Sequence, residues 1–78
     1  MPRYYFHVRR DKIIVEDLDG MEFATLEMAL AEATKAARHI VAQMILAGNR
    51  VEDHHFEIIR ADGTVVGIVS FKSAAGLE

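Results

Sequence analysis

Tyr4, Phe6 and Val8 alternate with Tyr5, His7 and Arg9 along Arg3 to Arg9, and a period of two is the mark of a strand with one face turned to a core. Past Arg10-Asp11, the run Lys12 to Asp17 centres on β-branched Ile13-Ile14-Val15 and predicts a second strand. A two-residue loop at Arg10-Asp11 sets Val8 opposite Ile13 and Phe6 opposite Val15. Tyr5, His7, Arg9, Lys12, Ile14 and Glu16 then share the other face. Asp17-Leu18-Asp19-Gly20 has the composition of a turn, with Gly20 free to take a positive φ.

From Leu26 the period changes. Leu26, Leu30, Ala33, Ala37, Ile40 and Met44 recur at spacings of four and three, and Val41 and Ile45 widen that stripe. Thr25 is the expected N-cap, Glu27 favours the positive end of the dipole, and Gly48-Asn49 signals the stop. A helix from Leu26 to Ala47 would be about 33 Å long. Beyond it, His54 to Ala61 and Thr64 to Phe71 flank Asp62-Gly63, the pair that a two-residue type I′ hairpin turn prefers. That turn pairs Arg60 with Val65, Ile58 with Gly67 and Phe56 with Val69, and leaves His55, Glu57, Ile59, Val66 and Ile68 on the opposite face.

The expected architecture is α+β, in the order ββαββ: a four-stranded antiparallel sheet with one long helix packed on one face. Residues 1–72 make a single domain. Residues 73–78 read as a flexible tail whose final Leu77-Glu78 has the composition of a vector-derived ending. Strand order is left open, because pairing between the hairpins is not local.

Seventy-eight residues suffice for one small core, and the absence of cysteine removes disulfides, thiolate metal sites and thiol chemistry. No apolar stretch approaches the roughly 20 residues of a membrane span, and Met1-Pro2-Arg3-Tyr4 lacks a signal-peptide layout, so a soluble cytoplasmic protein with no membrane partner is expected. A formal charge of -3 argues against nucleic acid as the main partner. Arg9, Arg10 and Lys12 nevertheless cluster at the first hairpin, which keeps a nucleic-acid-binding or antitoxin-like regulator as the alternative function.

Candidate chemistry is sparse. His54 and His55 are neighbours on a strand and point to opposite faces. Tyr5, His7, His55 and Glu57 would share the open face and converge if the first and third strands are adjacent, which could supply a zinc site or general acid and base. No Gly-rich phosphate loop and no Gly-x-Ser-x-Gly element is present, so neither an enzyme nor a cofactor is expected. Apolar surface is the stronger signal. Four strands span about 19 Å while one helix covers about 10 Å, and Tyr5, Ile14, Ile59, Val66 and Ile68 fall on the uncovered face. A homodimer is expected, or contact with another protein, and the expected role is an accessory or regulatory interaction module.

The residues themselves carry a resemblance. Pro2-Arg3-Tyr4-Tyr5-Phe6-His7-Val8-Arg9, then Asp17-Leu18-Asp19-Gly20-Met21-Glu22-Phe23, the alanines Ala29, Ala33 and Ala36-Ala37 with Arg38, and Phe56-Glu57-Ile58 resemble a family of small uncharacterised proteins. That family, a domain of unknown function, is abundant in alphaproteobacteria and especially rhizobial relatives, and the resemblance implies a bacterial protein with no assigned activity. Thr25-Leu26-Glu27-Met28-Ala29-Leu30 is similar, more distantly, to the helix opening of antitoxin domains. Those domains have three strands before the helix and a Gly-Cys element, whereas two strands and no cysteine are expected here.

Overall fold

Alternation and periodicity resolve into seven elements in the computed structural model, which describes residues 1–78. They are β1 (Arg3–Arg10), β2 (Ile13–Val15), β3 (Met21–Glu22), α1 (Leu26–Leu46), β4 (His54–Arg60), β5 (Val65–Ser70) and α2 (Phe71–Ala74). The sheet is antiparallel in the order β2-β1-β4-β5, so the two hairpins meet through β1 and β4. The fold is therefore α+β, with a four-stranded antiparallel sheet and one long helix against it. Two-residue β3 was not anticipated; it pairs with the start of β1, Arg3 opposite Glu22 and Tyr4 opposite Met21.

Helix α1 begins where Thr25 Oγ1 accepts from Met28 N at 3.2 Å. It ends in a Schellman motif: Gly48 has φ +77°, its N–H donates to Ile45 O, and Asn49 N donates to Met44 O. Its buried seam is Ala29, Ala33, Ala37 and Val41, while Leu26, Leu30 and Ile40 from the expected arc flank that seam half-buried. Small residues at the centre let the helix backbone approach the sheet. Gly67 helps, since a Cβ there would lie 2.9 Å from Leu30 Cδ2. Opposite the seam lie Tyr4, Phe56, Ile58 and Phe71, with Phe56 edge-on to Phe71 at 4.9 Å. The helix sits over β4 and β5 and leaves Ile13 and Val15 of β2 more than half exposed.

Three expectations about local geometry are corrected. The first hairpin turns at Asp11-Lys12 rather than Arg10-Asp11, so Val8 faces Val15 and Arg10 faces Ile13. Asp11 takes φ +53°, a conformation Asp tolerates, and the two-residue slip leaves every side chain on its expected face. The second hairpin closes with three residues, Ala61-Asp62-Gly63. Gly63 N donates to Arg60 O, Arg60 N donates to Thr64 O, and only Gly63 has positive φ, whereas type I′ would also need it at Asp62. The longer loop is absorbed by a bulge: Ile58 stays opposite Gly67, but Ile59 pairs with Val65. Finally, Phe71 is not the last strand residue. Ser70 caps a helical turn over Phe71–Ala74, Phe71 is buried, and the turn closes in a second Schellman motif at Gly76, within residues 73–78.

Candidate functional site

Adjacency of β1 and β4 places His7 opposite Glu57, Arg9 opposite His55 and Tyr5 opposite Ile59 on the face away from α1. Glu57 is the hub of the polar part. Its Oε2 accepts from Arg9 Nε at 2.8 Å and lies 3.7 Å from His55 Nε2. The carboxylate is only 17% exposed, which strengthens the Arg9 bond relative to a surface pair. Arg9 was expected only as part of a basic hairpin; it stands opposite His55, and Glu57 is its diagonal neighbour across the strands.

His7 is engaged elsewhere. Its Nδ1 accepts from Asp17 N at 3.0 Å, so that nitrogen carries no proton in this arrangement. The Asp17 carboxylate in turn accepts from Phe6 N at 3.0 Å through Oδ2 and from Asp19 N and Gly20 N at 3.2 and 3.1 Å through Oδ1. Burial opposes ionisation of Asp17, but the amides of Phe6, Gly20 and Asp19 outweigh it and hold the carboxyl below the usual carboxylate range. Tyr5 lies over Gly20, where a Cβ would come 2.8 Å from its ring. Tyr5, His7, His55 and Glu57 thus share a face without converging on one point, and no three His, Asp or Glu side chains form a metal-binding group.

The basic hairpin is spread out as well. Arg10 pairs with Glu52 at 3.8 Å and Arg9 with Glu57, leaving Lys12 exposed in the turn. On the helix side, a cleft of about 600 Å³ lies between Arg10, Ile40, Met44, Arg50 and His54. His54 stacks on Phe71 with ring centroids 5.6 Å apart, and its buried Nδ1 has no hydrogen-bond partner.

Apolar residues of the open face divide between its two sides. Ile14 of β2 lies at one edge; Val65 and Ile68 lie at the other, 50% and 64% exposed, beside half-buried Ile59 of β4. Val66, expected among them, packs instead against the core, because the bulge turns it inward and gives its place opposite Ile59 to Val65. Strand β5 forms the sheet edge, and no other strand pairs its outer side. No helix is long and apolar enough to cross a membrane.

No curated protein and no solved structure matched the chain. A family model described as a domain of unknown function, DUF6894, matches residues 3–72, from the first residue of β1 into α2. A match over that span, carrying the opening aromatic strand, the Asp17 turn and the alanine-seamed helix together, places the chain in the DUF6894 family.

Proposed function

We propose that this protein is a small accessory interaction module that self-associates, with its protein-binding surface as the working part. The observation that carries this is the exposed pair Val65 and Ile68, beside half-buried Ile59, at an unpaired strand edge. Each such side chain is worth roughly 1.5 to 3 kcal/mol when fully buried, a large fraction of the roughly 5 to 15 kcal/mol that holds a domain folded. Arg9 and Arg10 already have acidic partners, which supports a protein partner over a nucleic acid. The setting in this proposal is the bacterial cytoplasm, supported by the resemblance to alphaproteobacterial proteins. Sedimentation equilibrium tests the proposal: a dimer is expected in the micromolar range, and a monomer persisting at high micromolar concentration rejects it.

A further inference from the structure

We infer that two copies of this chain join edge to edge through β5, antiparallel about a two-fold axis at Ile68, to make one continuous eight-stranded sheet. This pairing rests on the self-association proposed above and gives it a geometry. Strand β5 reads Val65-Val66-Gly67-Ile68-Val69-Ser70, with no charge and no proline, two of the devices that keep a sheet edge from pairing; a third, the bulge, is confined to Val66. Its outward backbone groups have no strand partner. The bulge near Val66 bends only the start, leaving Gly67 to Ser70 regular.

Side-chain faces fix the register. In a continuous sheet, directly opposed residues must point to the same side, so about Ile68 the regular ladder runs over Gly67–Val69, and Ser70 meets the bulged Val66, which points inward. Ile68 then meets Ile68 of the second copy on the open face. On the helix side, Gly67 meets Val69, whose side chain gains the groove of about 530 Å³ beside β5, between Leu30, Thr34 and Ala74. Centred on Ile68, the two strands overlap over the five residues Val66–Ser70, about 17 Å. An overlap that short belongs to the small, weak class of interface, below about 1,200 Å² in total.

Face-to-face packing of the open sheets fits less well, because it would seal the Arg9–Glu57–His55 group against its own image. Desolvating those charges opposes such a contact, whereas edge pairing leaves them in water. Edge pairing also closes: the outer edges of the dimer become β2 and β3, strands of three and two residues beside charged Lys12, Glu16 and Glu22, which offer little to a third copy.

Sedimentation equilibrium on wild type, Ile68→Lys, Ile68→Glu and an equimolar mixture of the two variants tests the register, with circular dichroism confirming that each folds. Like charges set directly opposite each other should weaken either single variant about tenfold or more, and the Lys/Glu mixture should recover a heterodimer. A dimer unaffected by Ile68→Lys, or variants that stay monomeric when mixed, overturns edge pairing at Ile68. Dissociation by Ile14→Lys with Ile68→Lys still dimeric overturns the edge geometry yet keeps self-association. A monomeric wild type rejects both.

Discussion

The two sides of this sheet handle the same physical problem in opposite ways. On the far side of β1 the backbone is sealed piecemeal: β2 pairs with residues 8–10, β3 with Arg3 and Tyr4, and between them the Asp17 carboxylate accepts the Phe6 amide as a neighbouring strand's carbonyl would. On the far side of β5 nothing equivalent exists, although its side chains are the more apolar. A strand edge costs little while water solvates it, but a bare apolar edge also offers both ladder bonds and burial to another chain. Sealing needs polar side chains at chosen points. An edge left open needs only their absence.

The sealed side should be the more sensitive to substitution. Gly20 has φ +70°, and a Cβ there would stand 2.9 Å from Tyr4 O and 2.8 Å from the Tyr5 ring, so Gly20→Ala combines an unfavourable backbone with a clash against fixed main chain. A loss of about 3 kcal/mol is expected in denaturant unfolding. A change under about 1 kcal/mol would mean that the turn is not braced against β1.

Asp17→Asn should cost somewhat less, about 2 kcal/mol at neutral pH, since one amide oxygen cannot replace two carboxylate oxygens accepting three N–H donors. The pH dependence has a definite sign. Asp17 ionises more readily in the folded chain than in the unfolded one, so its contribution is present above the ordinary carboxylate value near 3.9 and is lost as pH falls through its lower folded value. Melting temperatures of wild type and Asp17→Asn should therefore converge below about pH 4. A constant gap down to acid pH would show that the charge is not what seals the edge.

At the open side the effects on the monomer shrink. Gly67→Ala brings a Cβ against Leu30 Cδ2, the end of a side chain that can shift, so a cost of about 1 kcal/mol is expected. Ile68→Lys should change monomer stability by less than about 0.5 kcal/mol, because the side chain is mostly exposed, while it disrupts association. Comparing dilute unfolding curves with concentrated sedimentation separates the two. A large loss of monomer stability for Ile68→Lys would mean that the open edge serves the fold itself.

Element identities were legible in the residues because each depends on neighbours a few positions away: alternation for β1, β4 and β5, a four-and-three spacing with Thr25 and Gly48-Asn49 for α1. Faces were legible too, since a slip of two residues in the first hairpin cannot change which side Val8 or Ile14 occupies. Val66 marks where this failed. One extra residue in the second loop was taken up by a bulge at that point, and an odd insertion does reverse a side chain. The sharing of Arg9 with Glu57, 48 positions apart, required knowing that β1 lies beside β4, and that of His7 with Asp17 required knowing that the turn after β2 folds back onto β1.

What the residues determined alone was the set of amphipathic pieces, because periodicity, caps and positive-φ glycines act within a turn or two of the chain. Tertiary structure decided which pieces became neighbours. Only that choice made β5 an edge, set Asp17 against the amide of Phe6, and chose the alanine seam over the larger leucine arc, since how closely a helix approaches a sheet depends on the glycine and side chains waiting on the other side. The same six residues of β5 would be unremarkable in the middle of a sheet; at its border they are surface.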